Sequence, residues 1–154
     1  LAYAQGLMDM DLQAARLSHP FLSSFDDHEV NNNWVSLIDN WTFDNGTSPD
    51  AAPAEVFAFR RAAAFKAWYE HMPVRRALMP RGPDVALNRE LRYGDLLSLQ
   101  LLDTRQYRSD QACGDGNDPV PCGDWASPTR TMLGAAQERW LAAGLAADMG
   151  WRII

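Results

Sequence analysis

No apolar run in the 154-residue sequence approaches the roughly 18 residues that a helical membrane span requires, which excludes such a span within it. The first residues, Leu1-Ala2-Tyr3-Ala4-Gln5, carry no basic n-region of the kind that opens a secretory signal. Basic side chains are outnumbered: 14 Lys and Arg face 20 Asp and Glu, for a formal net charge of −6. That balance argues against a general nucleic-acid binder, which needs a basic face to displace counterions from phosphates. Only two cysteines are present, with no Cys/His cluster beside them, and this argues against a structural zinc site. There is no internal repeat and no sign of a second domain.

What is present describes an ordered globular chain. Hydrophobic residues make up 47% and charged ones 22%, with six Trp, six Phe and four Tyr, a composition that excludes a disordered or low-complexity segment. The length suits one domain able to bury about two-thirds of its unfolded surface. The sequence opens on Leu1 and closes on Trp151-Arg152-Ile153-Ile154, which reads like the start of a strand, so the expectation is an internal portion of something longer.

Charge is unevenly spread. Residues 1–59 carry −8, residues 60–108 carry +5, and residues 109–154 carry −3. An acidic stretch joined to an Arg-rich one suits a site that pairs cations with an anionic substrate, and it also suits charges segregated on solvated faces. Cys113 and Cys122 flank the Gly/Pro/Asp-rich stretch Gly114 to Pro121, which reads as a loop. A disulfide closing it would stabilise by about 2–3 kcal/mol through the unfolded chain and favour an exported, oxidising setting. Two free thiols are the alternative. Asp115, Asn117 and Asp118 faintly resemble a calcium loop but lack the EF-hand spacing and its terminal Glu.

Along the chain, Leu7, Met8, Leu12, Ala15 and Leu17 predict an amphipathic helix over 1–17. Pro20 ends it, and Phe21 to Phe25 reads as a short buried strand running into Asp26-Asp27-His28-Glu29. Residues 36–52 read as a loop punctuated by Asn45-Gly46 and Pro49. Between Pro53 and Pro73, Phe57, Phe65 and Trp68 predict a core-packing helix with Arg60 or Arg61 directed elsewhere. His71 stands at its end, where it would stabilise the terminal carbonyls. A loop with Pro80, Gly82 and Pro83 precedes a hairpin that turns at Gly94-Asp95, and its second strand, 96–103, is apolar enough to be central. Leu133, Gln137, Trp140, Leu141 and Leu145 mark a last helix closed by Gly150, after which Trp151 begins another strand. The fold class is α/β.

The densest chemistry lies in Asp26-Asp27-His28-Glu29-Val30-Asn31-Asn32-Asn33-Trp34. Carboxylates and carboxamides suit hard cations, and an imidazole extends the set to iron or zinc. His28 could instead protonate a leaving group near neutral pH. An acidic surface turn with Asn at positive φ and an idle His28 remains the plain alternative.

This string resembles the Asp-Asp-His-Glu-Val-x-Asn-Asn signature of the PhoD-like alkaline phosphatases, a branch of the metallophosphoesterases. Four later segments resemble that family in order: Arg60 to Arg75, Arg92-Tyr93-Gly94-Asp95, Leu102 to Arg108, and Thr131 to Leu141. Together the matches cover essentially the whole chain. Two departures are Phe25, where the family usually has Trp, and Asn31, where an acidic or small residue is common. The resemblance implies a layered α/β/β/α fold, an iron and calcium centre, and hydrolysis of phosphate mono- or diesters by metal-activated water, in a periplasmic or secreted enzyme. It places Asp27 and Asn33 on the metal side and His28 facing the scissile phosphate, with Asp26, Glu29 and Asn32 orienting them. Arg61 and Arg105 become candidates for holding phosphate oxygens, since a planar guanidinium matches them bidentately; Arg105 pairing with Asp103, and Arg61 covering helix surface, are the alternatives.

Family members are several hundred residues long, and their Ser-Cys, Gly-Asp-x-x-Tyr, Asp-rich and Gly-Asp-x-His blocks are missing from this sequence. One ligand block cannot close a multinuclear site. The expectation is therefore that residues 1–154 are a partial domain, inactive when isolated. The rival from another class is a glycan- or calcium-binding module, in which Trp34, Trp41 and Trp125 would form an exposed platform.

Overall fold

The computed structural model describes residues 2–39, 51–115, 123, 125–147 and 150–154. Two short helices open it, α1 (Ala2–Met8) and α2 (Met10–Ser18). The single helix expected over 1–17 is broken at Asp9, whose carboxylate accepts the Asp11 and Leu12 N–H groups, both at 2.9 Å, and so caps α2. A short polar side chain here competes with the helical backbone and starts a new helix. Residues 20–26 are irregular, so the strand expected over Phe21 to Phe25 is not formed. Phe21 and Leu22 stay largely exposed and only Phe25 is buried.

The long helix α3 (Ala54–His71) follows Pro53, as expected. It buries Phe57, Arg61, Phe65 and Trp68, a 4-4-3 spacing that lines one face of a 3.6-residue helix. Arg61 thus sits on the core face, where its guanidinium lies 5.7 Å from the Trp34 ring centroid and 5.8 Å from that of Phe65. At the helix end His71 Nδ1 lies 2.8 Å from the Ala67 carbonyl oxygen, the role expected of it, and its ring stacks on Tyr3.

The core is aromatic. Phe25 stacks on Phe65 with centroids 4.7 Å apart and meets Trp68 edge-on at 5.7 Å, while Trp34 contacts Phe57 at 6.1 Å and Phe65 at 6.0 Å. Leu78, Val85 and Leu87 complete it. Phe25 and Trp34 bracket the Asp26–Asn33 segment, so both ends of that segment are pinned to α3 by ring packing.

Past a 3₁₀ turn at Arg76–Leu78, strands β1 (Arg89–Tyr93) and β2 (Leu97–Leu101) form the expected antiparallel hairpin, with Arg89 opposite Leu101 and Tyr93 opposite Leu97. The turn places Gly94 at φ 56°, where glycine has no steric penalty. Helix α4 (Ala135–Ala146) precedes β3 (Trp151–Ile153), which pairs parallel to β2 with Leu97 opposite Trp151, so β2 is central in the order β1-β2-β3. Helix α4 ends at Ala146, four residues before the Gly150 expected to close it; Gly150 instead donates its N–H to Asp95 O at the hairpin turn.

Burial in the sheet is inverted. Ser98 and Gln100 of β2 are buried, with Gln100 against Gly144 of α4. Leu97, Leu99 and Leu101 point to the other face and are only half-buried. The register puts Leu91, Tyr93, Trp151 and Ile153 on that same face, and the last three are exposed. Among the described residues no helix is long and apolar enough to cross a membrane.

Candidate functional site

Asp26 to Asn33 form one turn that does not continue into a helix. The Val30 and Asn31 N–H groups both donate to the Asp27 carbonyl at 2.9 Å. The Asp26 N–H donates to Glu29 Oε2 at 2.8 Å, the half of a capping box that an Asp-x-x-Glu spacing permits. Asp27 closes the turn: its Oδ1 accepts the His28 N–H at 3.0 Å and its Oδ2 accepts the Asn33 N–H at 2.8 Å. Asn33 lies at φ 54°, a left-handed conformation that Asn tolerates better than most residues.

Within this turn Asp27 is buried and its neighbour Asp26 is exposed. Burial alone would raise the Asp27 pKa, but the Asn33 N–H, the Arg105 guanidinium and its own backbone donors outweigh it and hold the carboxyl below its ordinary range. His28 is exposed, with Nε2 at 3.1 Å from Asn32 Oδ1 and 3.9 Å from Asp27 Oδ2. The structure therefore brings Asp26, Asp27, His28, Glu29, Asn32 and Asn33 together on one short turn.

Arg105 joins them from 79 residues away. Its Nε and Nη2 lie 2.8 and 2.6 Å from the same oxygen, Asp26 Oδ1, and Nη2 lies 3.7 Å from Asp27 Oδ1. The guanidinium thus pairs with Asp26, and Asp103 takes the Arg105 backbone N–H at 3.1 Å in place of the ion pair weighed for it above. Arg61 is not brought to the turn as a free cation. It is buried, and it donates Nε to Pro83 O at 2.7 Å, Nη2 to Asp84 Oδ1 at 2.8 Å, and Nη1 to Ser36 O.

Sequence reasoning passed over Asp39. It is buried and accepts from the Ala52 N–H and from Arg60 Nη1, each at 3.0 Å, and from the Asn31 side chain. It ties the turn, through Asn31, to Arg60 of α3. Nothing local marks it, because its partners lie 8 to 21 positions away.

The donor set is right in kind for a hard cation: an ionised, buried carboxylate beside carboxamides and an imidazole. It falls short in number, because among the described residues no three His, Cys, Asp or Glu side chains gather to hold a metal ion. Cys113 is not free, and Cys122 lies outside the described residues, as do most of the 36–52 loop and Trp41. Trp34 is wholly buried, so it cannot belong to an exposed glycan platform.

The PhoD-like phosphatase family profile matches residues 1–154. Alkaline phosphatase D of Bacillus subtilis (strain 168) is 44% identical over 153 residues, an alignment taking in 99% of this chain and 24% of that protein. A solved structure of PhoD superimposes with a TM-score of 0.82 at 44% identity, over 97% of this chain and 27% of its own. The chain spans about a quarter of the length of these relatives. With its full length matched and its mixed α/β architecture shared, the chain belongs to the PhoD-like phosphatase family.

Proposed function

We propose that residues 1–154 supply one ligand-bearing turn, and the frame that holds it, to a metal-dependent enzyme that hydrolyses phosphate mono- or diesters. The observation that carries this reading is Asp27: a buried carboxylate kept ionised on a turn whose two ends are clamped by Phe25 and Trp34. Asp27 and Asn33 sit on the metal side, with iron and calcium as the proposed ions. When bound, they would supply positive charge at the phosphoryl oxygens and an activated water. His28, exposed beside them, faces the scissile phosphate and passes a proton to the leaving oxygen. Glu29 fixes the start of the turn, Asn32 orients the imidazole, and Asp26 lies beside both. Arg61 has its nitrogens engaged inside the protein, so it supports the fold and not the substrate.

The partly exposed apolar face of the sheet supports a proposal for the wider architecture. Leu97, Leu99, Tyr93 and Ile153 need a cover, and a second sheet contributed by the rest of a longer polypeptide would complete a layered α/β/β/α fold. We place that polypeptide in the periplasm or outside the cell, with Cys113 and Cys122 joined as a disulfide. Free-thiol titration of the non-reduced protein tests the pairing, and two reactive thiols would count against it.

The activity is tested by grafting residues 1–154 in place of the matched segment of B. subtilis alkaline phosphatase D. Hydrolysis of p-nitrophenyl phosphate and bis(p-nitrophenyl) phosphate is then measured with iron and calcium present. Turnover that disappears with a chelator and with Asp27→Ala is expected, while the 154 residues alone give none. Substantial metal-dependent hydrolysis by the isolated residues, or a folded graft indifferent to Asp27→Ala, would overturn the reading.

A further inference from the structure

We infer that Arg105 is a positioning residue: it fixes the Asp26 and Asp27 carboxylates, and is itself fixed by a buried frame of Asp103, Gln106 and Gln137. The inference rests on the reading of the Asp26–Asn33 turn given above.

Two adjacent carboxylates repel, and a turn that carries both needs a cation between them. Arg105 supplies it. Two of its nitrogens converge on Asp26 Oδ1, one of these also lies 3.7 Å from Asp27 Oδ1, and Asp26 Oδ2 stays outside the grip. The side chain is almost fully buried, and Nη1 has neither solvent contact nor a hydrogen-bond partner among the described residues. A phosphate would need a free guanidinium edge at the surface, and here one edge is taken up by Asp26 while Nη1 is buried, so Arg105 acts on substrate only through the carboxylates.

The backbone of Arg105 is held with equal care. Its carbonyl accepts the Ser36 N–H at 2.9 Å, just past the end of the turn, and its own N–H reaches Asp103 Oδ1. Asp103 is fully buried. The Gln137 carboxamide of α4 clasps its main chain from both sides, accepting the Asp103 N–H and donating to the Asp103 carbonyl, each at 2.8 Å. Gln106 makes the same double clasp on Val85, at 3.1 and 2.8 Å, and also donates to Asp103 Oδ2. Each carboxamide thus behaves as a short piece of strand. A buried polar network with these groups paired is rigid, and it sets where the Arg105 guanidinium can reach.

The test uses the grafted holoenzyme. Because the groups behind metal-side ligands typically govern activity by 10–100-fold, Arg105→Met should lower kcat by at least about tenfold. KM for p-nitrophenyl phosphate and the inhibition constant of inorganic phosphate should stay within about twofold. Asp26→Asn combined with Arg105→Met should cost little more than Arg105→Met alone, since both break one contact. Gln137→Leu, which touches neither carboxylate, should lower kcat in the same sense with KM unchanged. A rise of about tenfold or more in KM or in the phosphate inhibition constant, or effects of Asp26→Asn and Arg105→Met that multiply, would overturn the positioning role. If Arg105→Met does not fold, Arg105→Lys decides by the same split between kcat and KM. Asp27→Ala in the same background separates the two levels: an unchanged kcat there removes the site reading itself, whatever Arg105 does.

Discussion

Replacing Phe65 by Ala tests whether the α3 aromatic face, and not the turn's own hydrogen bonds, holds Asp26–Asn33 in place. Phe65 is fully buried and lies 4.7 Å from the Phe25 ring and 6.0 Å from Trp34, the residues at the two ends of the turn. Truncating a buried Phe to Ala costs about 3–5 kcal/mol, part of it from the cavity left behind. For a chain of this size that lowers the melting temperature by roughly 6–20 °C, and it removes a large share of a typical stability of about 5–15 kcal/mol. Phe59 is the internal control, since it occupies the same helix but is 79% exposed, and Phe59→Ala should shift stability by no more than about 0.5 kcal/mol. Urea unfolding followed by tryptophan fluorescence reads both variants, because Trp34 and Trp68 lie in the same core. The decisive readout is amide exchange: the Val30, Asn31 and Asn33 N–H groups should lose protection in Phe65→Ala while β2 keeps it. A Phe65→Ala variant within about 1 kcal/mol of wild type, or one whose turn amides exchange as before, would refute the argument.

Three further outcomes follow from particular contacts. Both polar atoms of the Gln100 side chain are buried without a partner among the described residues, so Gln100→Met should raise stability by about 1–3 kcal/mol in urea titrations; a loss would show that the amide is satisfied. Gly134 lies at φ 77°, and a Cβ there would come within 2.8 Å of Tyr107 Cβ, so Gly134→Ala should cost about 1–3 kcal/mol in thermal unfolding, with a neutral result counting against the backbone geometry. Ser98 and then Arg92 hold the Glu90 carboxyl below its ordinary pKa. The folded value is the lower one, so this contribution is present above the unfolded pKa and fades as pH falls through the folded pKa. Ser98→Ala should return the Glu90 titration, followed by NMR, toward the ordinary value, and an unmoved curve would remove Ser98 as the cause.

Much of the fold is legible in the sequence because it is local. The α3 face, the Gly94 turn, the central β2 and the last helix each declare themselves through periodicity or a turn residue within a short window. Phe21 to Phe25 misleads because three apolar residues around Ser23-Ser24 have no intrinsic preference for strand, and among the described residues no strand pairs with them. The break at Asp9 is written in the sequence as an N-cap, but the apolar period on both sides masks it. Of the site, the turn itself is legible from its residue types, and Asp-x-x-Glu even marks the Glu29 capping contact. What holds the turn is not, because Arg105 meets Asp26 across 79 positions, Gln137 meets Asp103 across 34 and Arg60 meets Asp39 across 21, where no window reaches. Arg61 shows the limit most plainly, since only the packed helix reveals that a guanidinium faces the rings.

The inverted burial of the three-stranded sheet bears on how the polypeptide survives its own synthesis. Its strands pair once β1, β2 and β3 have met, yet tyrosine, tryptophan and isoleucine side chains on one side are left facing water and the leucines between them only half-covered. A face of this kind is an invitation to other nascent chains until something is laid over it. Polar substitutions at Tyr93, Trp151 or Ile153 would therefore be expected to improve the yield of the separated segment while harming the longer enzyme, a trade-off that shows up in expression long before it shows up in kinetics.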